Sequence, residues 1–511
     1  MAKLAAELTA YKSMKPEKAA YAHKLRTGPR AGMMDAWVEE LKSVASPKID
    51  IWLSPSMLAA GTVQRSMMPF DKRLMCFLDT CGKRPVRVVS LGGSITAGSQ
   101  FKMLWGSQDS TGKRAAGPVN HLFHRQFARW FRVHWPQTQA DALDPLSNSI
   151  ARGVPATGPP LFAACLGVWV PAKPDLVLLE FSVNSVGSDM LALESLLRTL
   201  RNARVATIVV SVDRFGDWKT CDQAYCISTS LWPLDASPTY GSLAAEIERL
   251  AAEYSAPVVS LRHAVHKALI GGAGGTRTRR LQNLTLQYFM EDCRHPNGIG
   301  HAWITQLLVH TLSKVHSAIR RNPGNVCNDS AVTSRPLWPP DSGAACLRGT
   351  ELRDAVIDSA GFIYRGGRKP GLYAERSGSW LKLRTPPASK SEMILQLGFL
   401  ESWSAEMGDI DVSCENSNCA CKALESLNAH AAGSGVSVTR LRSISVKYLG
   451  AARANASSCH LILTVRRGGT GGERYVINSL IRSSGLGSGR DLSSRTLFAM
   501  EMAVSREDHV A

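Results

Sequence analysis

A serine, a histidine and an aspartate in this sequence have the residue types and spacing of an acyl-transfer site. Ser94 follows a β-rich run and a Gly-Gly pair, and glycines permit the tight backbone that would expose a side chain at a strand end. Asp292 precedes His295 by three residues, and Pro296 keeps a helix from continuing through the histidine. A serine hydroxyl needs an adjacent base to act as a nucleophile, and imidazole suits that role. A carboxylate on the other ring nitrogen would fix the imidazole tautomer.

An asparagine supplies a further part of such a site. The run 175–183 is almost entirely apolar and reads as a buried strand that delivers Asn184 at its carboxyl end. Open α/β sheets bind their ligands at the carboxyl ends of parallel strands. The tetrahedral intermediate of acyl transfer carries an oxyanion, which an asparagine amide and backbone N–H groups can stabilise. Asn184 is therefore the candidate side-chain donor.

Each of these residues also has a simpler interpretation. Gly-Gly-Ser is a common turn, and Asn184 could be a turn former at a strand end. Asp292 could cap the helix expected after Gly300, and His295 could be a surface loop residue. Their occurrence together, in an order that serves one reaction, favours a single site.

In this order the motifs resemble those of the SGNH, or GDSL-type, hydrolases. The matching segments are Gly-Gly-Ser94-Ile-Thr-Ala-Gly, Asn184 and Asp292-x-x-His295-Pro, and the resemblance covers roughly residues 60–320. It implies a flavodoxin-like three-layer α/β/α core with esterase or lipase activity. It also implies that Ser94 is the nucleophile, His295 the base and Asp292 the group that orients the base. No metal or organic cofactor is implied.

The same resemblance assigns the oxyanion donors. Asn184 and the Ser94 amide would be two of them. The third is a backbone N–H from a second motif, here within 151–159, where the register favours Ala156 and leaves Gly158 or Gly153 as alternatives.

Three positions depart from the family pattern. Gly93 stands where an aspartate usually precedes the serine, and Ser185 replaces the aspartate that usually follows the asparagine. Ala156 replaces a glycine, which is acceptable for an amide donor if its φ stays negative. None of the three changes removes a catalytic group.

A chain of 511 residues is longer than one hydrophobic core usually supports. Alternating β-rich and amphipathic segments predict a parallel sheet with right-handed crossovers up to residue 320. Within it, residues 60–80 are expected to form one amphipathic helix. The sequence divides into a helical N-terminal extension, a catalytic domain, a Pro-rich linker, a β-rich accessory domain and a disordered tail, at 1–59, 60–320, 321–350, 351–482 and 483–511.

The accessory domain is predicted to be a β-sandwich, because short β-rich runs alternate with turn residues. The segment from Leu400 to Cys421 resembles the accessory domain of some plant and algal SGNH-type proteins. Tyr373, Trp380 and Trp403 could stack on sugars or could belong to the core.

The net charge and the cysteine content of the sequence indicate which binding partners and which cellular compartment to expect. The net charge of +18 would attract polyanions, but no nucleic-acid motif accompanies it, and no apolar stretch is long enough to span a bilayer. The 12 cysteines include close pairs at Cys76/Cys81, Cys221/Cys226 and Cys419/Cys421, which favour disulfides over metal binding. Together with three sequons they favour an oxidising compartment, although the N-terminus has no signal-peptide core. The compartment and the oligomeric state stay open.

The sequence thus predicts a serine esterase that acts on a small-molecule or polysaccharide ester, with O-acyl groups on a carbohydrate favoured. Two alternatives remain. One is a non-catalytic glycan-binding protein whose site has decayed, and the other is a glycan O-acyltransferase that uses the same three residues.

Overall fold

The computed structural model describes residues 53–63, 72–81, 86–99, 121–134, 149–170, 174–185, 187–212, 238–270, 288–292, 294–321, 346–366, 370–385, 392–402, 404–415, 419–430, 437–449, 459–468 and 472–482. Nearly all of the expected N-terminal extension and linker lie outside these ranges. The expected tail, the pair Cys221/Cys226 and Trp403 lie outside them as well.

Internal contacts divide the chain into two units. The first is formed by the chain up to Trp338 together with the short segments Glu401–Trp403 and Ala431–Arg440. The second contains the remainder of the C-terminal part. The candidate catalytic residues all belong to the first unit.

The first unit is built on a six-stranded sheet in the order β1-β6-β5-β4-β2-β3. Its strands are β1 (Thr62–Val63), β2 (Val88–Gly92), β3 (Ser149–Gly153), β4 (Leu176–Glu180), β5 (Ala206–Ser211) and β6 (Val258–Ser260). All neighbours pair in parallel except β1, which lies antiparallel to β6. The five parallel strands, counted along the chain, have the order 2-1-3-4-5 of flavodoxin-like folds, so the predicted fold class is confirmed.

Helices cover both faces of this sheet because its strands are apolar on both faces. Strands β2, β4 and β5 are buried at every position. The helices of this unit are α1 (Pro55–Gly61), α2 (Lys72–Cys81), α3 (Phe123–His134), α4 (Pro159–Ala164), α5 (Leu166–Trp169), α6 (Met190–Asn202), α7 (Pro238–Glu253), α8 (Leu261–Ile270) and α9 (Gly298–Arg321). Side chains of α1, α2, α3, α8 and α9 form one continuous core with one face of the sheet.

The N-terminal part of this unit differs from the sequence-based expectation. A single helix over 60–80 is wrong, because α1 ends at Gly61 and the chain then enters β1. Thr62 and Val63 pair with Val259 and Val258 at the edge of the sheet. The amphipathic pattern belongs to α2, which begins at Lys72.

The register of the sheet decides where the site is built. Gly92, the last residue of β2, lies opposite Gly153 of β3 and Glu180 of β4. The three adjacent strands β3, β2 and β4 therefore end at the same level of the sheet, and the loops that follow them lie side by side. The gap between β2 and β4 is the point where the strand order reverses, which is where folds of this kind bind their ligands.

The second unit is a β-sandwich whose two sheets share one core. One sheet has the order β14-β15-β12-β17-β10-β9 with β7 beside β17, and the other has the order β13-β16-β11-β8. One short helix, α10 (Gly349–Asp354), precedes β8. The strands are β7 (Cys346–Arg348), β8 (Val356–Ala360), β9 (Phe362–Arg365), β10 (Gly371–Ala374), β11 (Trp380–Arg384), β12 (Glu392–Glu401), β13 (Asp409–Cys414), β14 (Cys419–Ala423), β15 (Val438–Tyr448), β16 (His460–Arg466) and β17 (Tyr475–Arg482).

Two of the aromatic residues singled out for sugar stacking lie in this unit. Tyr373 and Trp380 are both partly buried and lie outside the fully buried core. The Arg365 guanidinium lies 5.0 Å from the centroid of the Tyr373 ring, so one candidate stacking face is already occupied.

The disulfides of the sandwich differ from the expected pairing of neighbours. Cys419 and Cys421 do not bond to each other. Cys414 bonds to Cys421, and Cys419 bonds to Cys459. Cys419 and Cys421 are two residues apart in β14 and share one of its faces, so each reaches a partner on another segment. Cys76, Cys165 and Cys346 are also disulfide-bonded.

No helix in the described ranges combines the length and apolarity needed to cross a bilayer.

Candidate active site

The serine lies in a tight turn directly after β2. Hydrogen bonds from the Ala97 amide to the Gly93 carbonyl (3.0 Å) and from the Ser99 amide to the Ser94 carbonyl (2.8 Å) close this turn. A Cβ at Gly93 would lie 2.0 Å from Asn184 Oδ1. Glycine stands at this position because the asparagine of the site occupies the space that a side chain would need.

Ser94, His295 and Asp292 form one hydrogen-bonded chain. His295 Nε2 lies 2.9 Å from Ser94 Oγ, and His295 Nδ1 lies 2.8 Å from Asp292 Oδ2. Ser94 is buried, whereas the side chains of His295 and Asp292 remain 13% and 24% exposed. The imidazole therefore bridges a buried hydroxyl and a partly buried carboxylate, in the geometry that proton transfer from the hydroxyl requires.

Asp292 is held as the anion. Burial raises the pKa of this carboxyl, but hydrogen bonds from the His295 ring and from two backbone amides outweigh burial and bring the pKa below its ordinary value. The two amides are those of Arg294 and His295, at 2.7 and 2.6 Å from Oδ1. One carboxylate oxygen thus holds the loop, and the other orients the imidazole.

The histidine loop is closed by its own backbone. The Glu291 amide donates to the His295 carbonyl (2.7 Å), and the Asn297 amide donates to the Phe289 carbonyl (3.0 Å). Helix α9 follows, and Asn297 Oδ1 accepts from the Ile299 amide at its start (2.9 Å). The alternative that Asp292 caps this helix is therefore wrong, because Asn297 is the capping residue.

Asn184 lies in the turn after β4, beside the serine. Its Oδ1 lies 3.3 Å from the Ser94 amide and 3.4 Å from Ser94 Oγ. Within the described part of the chain, its Nδ2 makes no hydrogen bond, so this donor is available to a ligand. The Ser94 amide is already engaged by Asn184, so a substrate oxygen must compete with that long hydrogen bond for the same donor.

Ser185 stands where the family that the sequence resembles usually has an aspartate, and its side chain takes part in this turn. Its hydroxyl donates to the Phe181 carbonyl at 2.8 Å, and the Asn184 amide donates to the same carbonyl at 3.0 Å. A short side chain therefore closes the turn that positions Asn184.

Ala156 lies in the loop after β3 and is buried, with φ at +60°. The condition of a negative φ, under which an alanine is acceptable here, is therefore not met. The left-handed conformation brings a Cβ close to the following carbonyl oxygen and costs roughly 1–2 kcal/mol. A glycine at this position would not carry this strain.

The strain at Ala156 gives a stability prediction. Ala156→Gly is expected to raise the free energy of unfolding by about 0.5–1 kcal/mol, since relief of strain exceeds the added entropy of the unfolded chain. Urea denaturation measures this change. Ala245→Gly, at an exposed position inside α7, is the matched control and should lower stability by about 1 kcal/mol. Equal losses in both variants would contradict the strain argument.

The two alternative glycines of the second motif both pack against the site. A Cβ at Gly158 would lie 3.1 Å from the Asn184 carbonyl oxygen and equally close to Asp189 Oδ2. A Cβ at Gly153 would lie 2.2 Å from the Ala97 amide nitrogen in the serine turn. Both glycines permit close backbone approach between neighbouring loops of the site.

Sequence reasoning missed three buried polar residues in and around the serine turn: Glu180, Thr96 and His124. One signal was present, because Glu180 is the acidic residue at the end of an otherwise apolar strand. In the described residues, no group of three or more His, Cys, Asp or Glu side chains could hold a metal ion.

No family model and no curated protein matches this sequence. Among solved structures, the chain is similar to a two-domain esterase active on acetylated mannans, with a TM-score of 0.47 and 17% identity over 83% of this chain and 98% of the other. An acetyl xylan esterase has a TM-score of 0.31 and 15% identity over 44% and 99%. An acetylxylan esterase from Geobacillus stearothermophilus has a TM-score of 0.30 and 14% identity over 45% and 94%.

Proposed function

We propose that this protein is a serine esterase of the SGNH type, which hydrolyses carboxylic esters through Ser94, His295 and Asp292. The observation that carries the proposal is the continuous hydrogen-bonded chain from the Ser94 hydroxyl through the His295 ring to the Asp292 carboxylate. The contact with ionised Asp292 makes Nδ1 the protonated nitrogen, which leaves the Nε2 lone pair facing the hydroxyl.

The reaction follows from this arrangement. Ser94 Oγ attacks the ester carbonyl carbon while its proton passes to His295 Nε2. The tetrahedral intermediate collapses, the C–O bond to the alcohol breaks, and the imidazolium returns the proton to the leaving alkoxide. Water then attacks the acyl-enzyme with His295 as base, which releases the carboxylic acid and regenerates the serine. Protein groups supply every proton transfer, and no cofactor is required.

We assign the oxyanion site to the carboxyl ends of β4, β2 and β3. The Asn184 amide nitrogen and the Ala156 backbone N–H are the donors that we assign, together with the Ser94 N–H once the substrate displaces Asn184 Oδ1. One such donor contributes roughly 3 kcal/mol to transition-state stabilisation. The strained conformation of Ala156 is the kind of backbone outlier that occurs at functional sites.

The alcohol side of the ester is proposed to be a carbohydrate. The partial exposure of His295 and Asp292 leaves the leaving-group side of the site accessible, which suits an alcohol that remains outside the protein. Acetylated mannan and acetylated xylan are the polymers named for the similar structures, and both are substrates to test.

A fluorophosphonate probe and an acetate-release assay test the proposal together. The wild-type chain is expected to bind about one probe per molecule at Ser94, because only an activated serine attacks phosphorus, and to release acetate from p-nitrophenyl acetate and from at least one acetylated polymer. Absence of both labelling and release would favour the non-catalytic binding protein. Transfer of acetate to a sugar acceptor in place of release would favour the acyltransferase.

A further inference from the structure

A buried carboxyl group lies directly behind the nucleophile. Glu180 is the last residue of β4 and has no exposed surface. Its Oε2 accepts from the Thr96 amide at 3.3 Å and from the Thr96 hydroxyl at 3.1 Å. Its Oε1 is buried without a hydrogen-bond partner in the described part of the chain. The reaction proposed above uses neither oxygen.

The partner of this carboxyl belongs to the turn that carries the nucleophile. Thr96 follows Ser94 by two residues, and its carbonyl accepts from His124 Nε2 at 3.1 Å. A Cβ at Gly92 would lie 2.1 Å from Thr96 Oγ1. Thr96 is therefore held by hydrogen bonds to Glu180 and His124, and the first glycine of the Gly-Gly pair leaves the space in which the threonine folds back toward β4.

We propose that Glu180 is a positioning residue for the esterase, which holds the Ser94 turn in its attacking geometry through Thr96 and does so only as the neutral acid. The proposal rests on the esterase function proposed above and adds a regulation of the same site. Ionised Glu180 would place an unpaired negative charge in the core next to the turn, and the turn would move to bring water or a cation to it.

The surroundings of Glu180 explain why it is neutral. Burial raises the pKa of Glu180 to about 8, and the hydrogen bonds from the Thr96 hydroxyl and amide limit the rise. No lysine or arginine in the described ranges pairs with this carboxyl. The carboxyl therefore changes charge at mildly alkaline pH.

Two other buried titratable groups near the serine turn, His124 and His301, are neutral. His124, on α3, is neutral, because burial and the nearby Arg125 lower its pKa to about 3. His301, on α9, is also neutral, because burial lowers its pKa well below the ordinary value, with smaller effects from His124, His295 and His121.

The proposal predicts an alkaline limit on turnover that Glu180→Gln removes. Glutamine has the size of the acid and keeps an acceptor oxygen for Thr96, but it cannot ionise. Wild-type kcat for p-nitrophenyl acetate is expected to fall about tenfold between its maximum and pH 9, one unit above a pKa of about 8. Glu180→Gln should have a kcat within about threefold of wild type at pH 7 and keep it at pH 9. An unchanged alkaline decline in the variant would overturn the proposal.

A pair of threonine variants keeps the test decisive if Glu180→Gln does not fold. Thr96→Ser retains the hydroxyl and should keep both kcat and the alkaline limit. Thr96→Val removes the hydroxyl and should lower kcat about tenfold at pH 7. Equal kcat in the two variants would also overturn the proposal. Glu248→Gln is the matched control, because Glu248 is another buried carboxyl, on α7, and its replacement should leave the pH profile unchanged.

These experiments distinguish a failure of the positioning role of Glu180 from a failure of the proposed esterase function. A wild-type chain that is active and loses activity in Ser94→Ala supports the esterase whatever Glu180→Gln does. If that result holds and the alkaline decline persists in Glu180→Gln, only the positioning role fails. A wild-type chain without esterase activity overturns both. Circular dichroism melting at pH 7 and pH 9 shows for each variant that the protein is folded where turnover is measured.

Discussion

Replacing Ser94 with alanine is expected to lower kcat for p-nitrophenyl acetate by about 10⁴ to 10⁶-fold, the range in which loss of a catalytic serine falls. In the proposed mechanism the substitution removes the atom that forms the acyl-enzyme, and the proposed oxyanion donors are left to assist direct attack by water. The hydroxyl accounts for two side-chain contacts, to His295 and to Asn184, and the second is long at 3.4 Å. The fold should therefore persist, with a melting temperature close to that of the wild type.

Ser99→Ala provides the matched control for this variant. Ser99 ends the same turn, and its backbone amide, which donates to the Ser94 carbonyl, is retained in the variant. Its kcat should remain within about threefold of the wild-type value, since no catalytic group is touched. Turnover by Ser94→Ala at a similar level would remove Ser94 as the nucleophile, and fluorophosphonate labelling of the variant would point to another serine.

The architecture of the first unit was predictable from sequence because local pattern and global fold agree there. Buried parallel strands have continuous apolar runs, and 175–183 and 205–212 show them plainly. The crossover rule then leaves few possible topologies. The site follows from the same pattern, since Ser94 and Asn184 lie in the turns after two strands that are neighbours at the reversal of strand order.

The backbone of the site could not be predicted in the same way. Ala156 has an ordinary residue type, and its positive φ is imposed by tertiary packing, which a propensity scale does not contain. Glu180 has the opposite difficulty. An acidic residue at a strand end usually faces solvent. The burial of Glu180 becomes apparent only in the structure, where Thr96 packs against Gly92 and its hydroxyl donates to the Glu180 carboxyl.

In the second unit, strand pairing determines features that local sequence patterns do not reveal, namely the edge strands and the disulfide partners. Edge strands such as β8 are largely exposed and lack a clear alternation of apolar residues. The disulfides show the same effect, because Cys414 meets Cys421 and Cys419 meets Cys459 only once the strands have assembled. Spacing along the chain alone favoured the wrong partners.

Replacing Asp292 with asparagine is expected to lower kcat by about 10⁴-fold while the histidine loop stays intact. Asp292 Oδ1 accepts from the Arg294 and His295 amides, and an asparagine oxygen can accept both. Its NH₂ group would then face His295 Nδ1, which must accept instead of donate. The ring proton would move to Nε2, so the imidazole could no longer take the proton of Ser94.

The comparison of Asp292→Asn with Asp292→Ala separates the two functions of the carboxylate. Alanine loses the loop hydrogen bonds as well as the orientation of the ring, so it should also lower the melting temperature, whereas asparagine should keep it close to the wild-type value. Because the pKa of Asp292 is lower when folded than when unfolded, the stability that it contributes is present above the unfolded pKa and lost only as pH falls through the folded one. Asp292 is therefore ionised throughout the neutral range, so protonation of this carboxylate does not limit wild-type turnover there. A loss of less than tenfold in Asp292→Asn would mean that another group sets the tautomer of His295.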